Sequence, residues 1–507
     1  MQVSDINEKP DQEQGQQMLT VHSVTFNAVM NTILTASNAV LSLITVPYVT
    51  RVLSVEGFGA VGFAQNVASW FSVFCLFGIP LYGVRECAKV RDDKRALAKV
   101  VKELLTLLTI FTSIFLVVFA ACIVVVPQLR AQAPLMWIFL VNTLLTSYGA
   151  EWFFQAIEQY RYITIRSVVF KTITLIAILL FVKNPNDYIV YGALLALGLC
   201  GNNVLNIIRL NSMISFSGLG KLDLRQHIRP LLSFLTLNAA SSVYLYLDSV
   251  ILALVSPDLF QVGLYQVVTK LKAFLIGVVS AVINVLIPRL SYLIRYPSGR
   301  QYQALLAKSV HTVFNIALAI CAYLFVFSDL ILIFISSTKY VSATVSLQVV
   351  GVTILCSSMS VLIGYAVLTP MNRERELAIS NMVGIPVSLL LNFALDRPFG
   401  ALGAATAIAC TELAVLGVQT YFARDVLRPV VSIKELVKII AAVVLASVGS
   451  WGSRLLFGRI GSIPMLLAGS TVFFVIWALV LLVSRESTAM VMFDKVTRRF
   501  HFPERSK

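Results

Sequence analysis

Fourteen apolar stretches run along this chain, each long enough to cross a bilayer: 24–49, 58–84, 104–127, 134–156, 164–182, 188–208, 230–255, 262–288, 310–334, 345–369, 377–396, 401–422, 436–457 and 464–484. A spanning helix needs about 20 apolar residues, because it rises about 1.5 Å per residue across roughly 30 Å of hydrocarbon. In that medium every backbone N–H and C=O must be satisfied within its own element, and no stretch alternates with the period of a barrel strand. The expected fold class is therefore an all-α polytopic membrane protein with about 14 transmembrane helices. The chain is 58% hydrophobic and only 13% charged, far from the roughly one-quarter charged residues of ordinary soluble domains.

The charges are distributed unevenly. Of the 40 Lys and Arg residues, 31 fall in the two tails, in the connections after even-numbered spans and in the adjoining helix ends; 7 fall on the opposite side. The positive-inside rule then places both termini in the cytosol and the protein, as a multi-pass chain, in a plasma membrane. The net charge of +15 is thus a topology signal, and nucleic acid is not an expected partner. Residues 1–20 are polar and Gln-rich, without the basic start and apolar core of a signal peptide, and read as a disordered cytosolic tail. The longest inner connections are 85–103 and 211–229, too short for a folded catalytic domain, so the function is expected among the helices and not as an enzyme.

A weak repeat gives the architecture. GFGAVGFAQ (57–65) and FQVGLYQ (260–266) are both outer turns leading into even-numbered spans, six spans apart, with the same orientation. Two parallel six-helix lobes follow, related by an axis along the membrane normal, an arrangement found in transporters. The expected division is a tail (1–20), an N-lobe (21–210, spans 1–6), an inter-lobe loop (211–229), a C-lobe (230–424, spans 7–12), and spans 13–14 with a basic cytosolic tail (425–507).

Few residues in the spans carry charge. Lys270 and Lys272 lie in span 8, about 12 and 15 Å from its outer end. A charge near the bilayer centre costs at least about 2.5–3.5 kcal/mol on insertion scales and normally faces water or a partner. The two lysines are about 200° apart around the helix, so they face different directions, and one is expected to line an aqueous cavity that attracts an anionic substrate. Asp248, in span 7, sits at the depth of Lys270, which makes a buried ion pair the alternative. Glu412, in span 12, reads either as a proton or cation coupling site or as a partner of a span 8 lysine. Asn27, Asn31 and Asn38 share one face of span 1 and are candidates for bonding sugar hydroxyls; further amides, among them Gln65 and Asn238, recur in other spans. Arg51, in the first outer turn, is a candidate for guarding an outer vestibule. The seven cysteines are scattered and the four histidines do not cluster, so no metal or cofactor is expected beyond a coupling proton or sodium ion. Neither a phosphate-cradling P-loop nor a catalytic constellation is present.

Several stretches resemble the polysaccharide flippases, the Wzx or RfbX-like branch of the MOP superfamily: TVPYVTRVLSVEGFGAVGFAQ (45–65), GIPLYGVRECAKVRDDK (78–94), EWFFQAIEQYRYITIRS (151–167), LDSVILALVSPDLFQVGLYQ (247–266) and LTPMNRERE (368–376). The similarity covers most of 20–425. It implies two lobes around a V-shaped cavity, alternating access by rocking lobes, and transport of polyprenyl-pyrophosphate-linked oligosaccharide from the inner to the outer leaflet of a bacterial plasma membrane. The implied product feeds O-antigen, capsule or exopolysaccharide assembly, with membrane lipids, a polysaccharide polymerase and chain-length proteins as expected partners. The resemblance further implies that the lysines serve the pyrophosphate or acidic sugars, that Asp248 is the family's span 7 acid, and that Glu151, Gln155 and Arg166 gate the cytosolic mouth. Relatives often carry an Arg within span 1, where this chain has only amides before Arg51. The competing readings are a MATE-like cation or drug antiporter, which would favour acidic over basic cavity residues, a lipid II flippase, and a membrane polysaccharide polymerase, which would need a long outer loop.

Overall fold

The computed structural model describes residues 23–256, 258–294, 299–457, 461–486 and 490; the side chains at 24–25, 36, 38–39, 237–241, 243–245 and 456–457 fall outside that description. So do the expected N-terminal tail (1–20) and most of the basic C-terminal tail. The described residues are helical, with no strand among them. The N-lobe runs through α1 (Val24–Val52), α2 (Val55–Leu76), α3 (Ile79–Lys89), α4 (Lys94–Val125), α5 (Pro127–Ala131), α6 (Ala133–Ser147), α7 (Glu151–Ala156), α8 (Tyr160–Phe181) and α9 (Tyr188–Met213). The C-lobe runs through α10 (Arg225–Val255), α11 (Leu259–Leu293), α12 (Arg300–Ile335), α13 (Thr344–Ile363), α14 (Glu374–Phe399) and α15 (Ala401–Phe422). After the short α16 (Arg424–Leu427), α17 (Ile433–Phe457) and α18 (Ser462–Val483) pair with each other and lean on α12.

Among the described residues, 13 helices are long and apolar enough to cross a membrane. The remaining expected span, 230–255, falls on α10, a continuous helix of 31 residues. Helix starts follow local chemistry. Ser54 accepts from the Gly57 N–H and Asp93 from the Arg95 and Ala96 N–H groups; Asp258 does the same for Phe260 and Gln261. Each side chain satisfies donors that the first helical turn leaves free.

Two expected spans end early. Span 2 was expected over 58–84, but α2 stops at Leu76, and Phe77 and Gly78 take left-handed backbone angles (φ 47° and 78°). A β-carbon on Gly78 would stand 2.8 Å from Phe234 Cβ and 2.9 Å from the Leu231 carbonyl, so the turn needs glycine for space as well as for φ. Span 4 was expected over 134–156, but it breaks after α6, where Ala150 also has positive φ (45°). The leftover segments form the short helices α3 and α7. These pack on each other, with Gly83 lying under the Trp152 indole at a distance that excludes a β-carbon (2.7 Å). The candidate spans Val55–Lys89 and Ala133–Ala156 are thus each broken at such a turn, and their last turns lie among other helices at the Arg- and Lys-rich end of the bundle, termed the inner end below.

The inter-lobe link is anchored there as well. Glu103 of α4, 1% exposed, accepts from the Asp223 N–H (2.8 Å), and its other oxygen lies 3.0 Å from His227 Nε2. Tyr82 of α3 meets His227 Nδ1 at 2.7 Å. A buried carboxylate must be bonded on every side it exposes to protein. Here those bonds fasten the first turn of α10 to α3 and α4.

Candidate functional site

The two repeat motifs meet in space. α2 and α11 cross at their outer ends with backbone on backbone. A β-carbon on Gly59 would lie 2.4 Å from the Leu259 carbonyl and 2.6 Å from the Gly263 nitrogen; one on Gly263 would lie 2.1 Å from the Val55 carbonyl. Small residues allow this approach in a bilayer, where dispersion rather than water expulsion holds helices together. Gly62, one turn along α2, accommodates the Gln266 side chain in the same way, and Gln266 donates to Ser249 of α10 (2.7 Å).

Lys270 emerges just beyond this crossing. It is half-buried on α11, and its ammonium donates to Gln65 Oε1 of α2, across the lobe boundary, at 3.3 Å. Among the described residues no carboxylate comes within ion-pair distance of it. Lys272 turns into the C-lobe and stands 4.0 Å from Glu412 of α15, both side chains largely covered. The two lysines therefore face different partners, as their angular separation requires, and Glu412 is the partner of a span 8 lysine.

Asp248 does not pair with Lys270. It is 3% exposed, and its Oδ1 accepts from Ser388 Oγ (2.8 Å) and Asn392 Nδ2 (2.9 Å), both on α14. One turn further along α14 lies Asp396, fully buried, with neither carboxylate oxygen bonded to any partner. Ser388, Asn392 and Asp396 recur every four residues and so line one face of α14. The sequence reading missed this column. Its signal was present as a polar residue every fourth position in an otherwise apolar span, ending on an acid. Among the described residues no three His, Cys, Asp or Glu side chains form a metal-binding group.

The remaining candidates lie toward the two ends. Arg51 donates from Nε to the Ser336 carbonyl (2.9 Å) and from Nη2 to the Phe334 carbonyl (2.5 Å), tying the end of α1 to the end of α12. Asn27 is buried and donates to Glu158 Oε2 (3.2 Å), whose other oxygen holds Arg91 at 2.5 Å. Asn31 is exposed on α1, and the Asn38 side chain lies outside the described residues. Asn27 belongs to an inner-end polar cluster with Glu158 and Arg91. Glu151 and Gln155 stand half-buried on α7, one turn apart. Arg166, on α8, is 6% exposed, and its Nε and Nη1 have no hydrogen-bond partner.

The bonds between lobes sort by depth. At the outer end they are Arg51 to α12, Gln128 Nε2 to the Leu254 carbonyl (3.3 Å) and, deeper, Lys270 to Gln65. At the inner end the hydrogen bonds from the N-lobe to the link and the start of α10 among the described residues are those of Tyr82 and Glu103, with Arg95 donating to the Gly218 carbonyl (3.1 Å) and Lys102 to the Phe216 carbonyl (3.2 Å). The lobes meet at both ends: backbone against backbone outside, and inside through the link and the packing of Gly78 and Tyr82 on the first turns of α10.

Comparison with known proteins agrees with this architecture. The profile of a family described as Polysaccharide biosynthesis protein matches residues 24–294. A protein named as a candidate O-antigen transporter in Escherichia coli (strain K12) is 24% identical over 405 residues, 79% of this chain and 96% of that one. Its namesake in Shigella dysenteriae is 23% identical over 386 residues, covering 75% and 95%. Among solved structures, the lipid II flippase MurJ in an inward closed conformation superposes with a TM-score of 0.64 at 12% identity, over 90% of this chain and 99% of that one. An inward-facing MATE multidrug transporter of the MOP superfamily gives 0.60 at 12% identity, over 82% and 97%. The fold is therefore the one that MurJ and MATE transporters share, and the chain belongs to the polysaccharide biosynthesis protein family.

Proposed function

We propose that this protein is a flippase that carries a polyprenyl-pyrophosphate-linked oligosaccharide from the inner to the outer leaflet of a bacterial plasma membrane by alternating access. The observation that carries the reading is Lys270: a half-buried cation at the lobe boundary, deep in the membrane, held by one amide and, among the described residues, by no carboxylate. A buried charge without a counter-charge is retained at a cost, and the compensation is an anion that comes and goes. A pyrophosphate bridging sugar and lipid has that character, and the names of the O-antigen relatives support the sugar. A cation antiporter would place acids, not Lys270, at this boundary. The outer contacts of Arg51, Gly59 and Gly263 support a state closed on its outer side. The delivered repeat units would then pass to a polysaccharide polymerase and chain-length proteins. Deleting the gene in its native bacterium, and scoring on which leaflet completed repeats accumulate, tests the reading.

Coupling is assigned to the C-lobe. Asp248 is bonded by Ser388 and Asn392, while Asp396 has two bare oxygens in a dry setting. A carboxyl group buried without hydrogen-bond partners is held either as the neutral, protonated acid or as a carboxylate beside a bound cation. Transport is then coupled to a proton or sodium ion exchanged at Asp396, with Asp248 beside it. In reconstituted vesicles, Asp396→Asn is expected to leave the protein folded and to abolish acceleration of transport by an imposed proton or sodium gradient. A variant that still responds to both gradients removes Asp396 from the coupling step.

A further inference from the structure

Three arginines cluster in the N-lobe on α8 and α9, helices that pack on each other and on α1, α2, α6 and α7. Arg161 and Arg166 come from α8 and Arg209 from α9, and together they border a cleft of about 470 Å³ at the inner end. The guanidinium of Arg209 lies 4.0 Å from the centre of the Tyr162 ring, and that of Arg166 lies 5.2 Å from it. Arg209 also donates to Gln159 Oε1 (3.0 Å). Among the described residues none of the three forms an ion pair. Glu151 lies within electrostatic reach of Arg166 but makes no salt bridge with it. Arg166 is more than nine-tenths buried, and two of its nitrogens have no partner although it lines the cleft. Three like charges around one hollow repel one another, and buried guanidinium donors without acceptors are rare.

The rest of the cleft is apolar and faces outward. Ile165, Val169 and Leu205 are 52%, 47% and 43% exposed. Along α8 the exposed stripe continues through Ile173, Ile176 and Leu180 toward the outer end. A stripe of that composition is bathed in acyl chains, not water. The arginines stand within the first two turns of α8 and the last two of α9, the depth of lipid headgroups. A cationic head with an apolar wall below it matches one kind of molecule.

We propose that this cleft binds the phosphate headgroup of an anionic lipid of the inner leaflet, with Arg166 and Arg209 as the phosphate ligands and the α8–α9 groove holding the upper acyl or prenyl chain. Guanidinium forks suit phosphate oxygens, and Tyr162 holds two of them in place by stacking. The site lies outside the Lys270 region, and binding is read without transport, so its failure and that of the flippase reading are separable.

The test uses the purified, delipidated full-length chain in detergent and native mass spectrometry of retained lipid. The probes are phosphatidylglycerol, phosphatidylcholine, a polyprenyl diphosphate and inorganic pyrophosphate. The expected result is retention of phosphatidylglycerol or of the polyprenyl diphosphate over phosphatidylcholine. That retention should fall about tenfold in Arg166→Gln, the loss expected when a charge-assisted hydrogen bond goes. Because Arg166 is buried, the more accessible pair Arg161→Gln with Arg209→Gln is measured alongside and should show the same fall, while Arg428→Gln should not. Which of the two anionic lipids is affected identifies its source, bulk phospholipid or lipid-linked substrate. Equal retention of phosphatidylcholine, unchanged retention in the folded arginine variants, or inorganic pyrophosphate bound as firmly as either lipid would overturn the proposal.

Discussion

Lys270→Ala is expected to lower transport of lipid-linked repeats at least about tenfold at normal abundance, while Lys270→Arg keeps most of it. Removing a charge-assisted hydrogen bond costs roughly 1.5–3 kcal/mol, and 1.4 kcal/mol is a factor of ten. Among the described residues Lys270 is bonded to Gln65 alone, an amide at 3.3 Å, so the loss should come from substrate and not from folding. Gln65→Ala separates the two explanations. If Lys270 matters only as a brace between α2 and α11, Gln65→Ala reproduces its defect; if it holds an anion, Gln65→Ala is mild. Normal transport by Lys270→Ala at normal abundance would remove it from the substrate path. Lys272 differs, because Glu412 already faces it.

Gly59→Leu is expected to break the outer closure. The space around Gly59 is filled by the Leu259 carbonyl and the Gly263 backbone, which cannot give way as a side chain can. Overpacking a close contact costs roughly 1–3 kcal/mol, and the strain is relieved by separating α2 from α11. That shifts the balance toward an outward-open state by at least about fivefold. In a cysteine-free background, Ala60→Cys reports the change, since Ala60 is 2% exposed next to the crossing. Its labelling by a membrane-impermeant maleimide from outside should rise several-fold when Gly59→Leu is added. Gly263→Ala should act in the same direction, more weakly. Unchanged labelling in a folded double variant would show that the crossing does not close the outer side.

Much of this was legible in the sequence, and the physics explains which parts. Bilayer thickness fixes span length, so the helices and their alternating direction follow from hydropathy and from where Lys and Arg lie. The repeat around Gly59 and Gly263 announced two lobes, and the structure shows why those glycines recur: the lobes touch through them. Lys270, Lys272 and Glu412 stood out because charge in hydrocarbon is costly, and pairing Lys272 with Glu412 was one of the readings weighed. The ion pair with Lys270, the alternative for Asp248, is not the one the structure holds. Depth along neighbouring helices suggested Lys270, but helix rotation, which hydropathy does not encode, turns Asp248 toward Ser388 and Asn392. Asp396 escaped notice because it sits at the end of its span, where an acid looks solvated. Spans 2 and 4 were read too long because α3 and α7 bury apolar faces against protein, and hydropathy does not distinguish that from lipid.

The most direct test of the central claim is the sidedness of lipid-linked repeats in a deletion strain. Membranes would be probed with a lectin or glycosidase that cannot cross them, before and after permeabilisation. Surface polymer should be lost and completed repeats should be reached only after permeabilisation, trapped on the cytosolic leaflet, with rescue by the intact gene and not by Lys270→Ala. Completed repeats accessible from outside in the deletion strain, with no second transporter present, would contradict it.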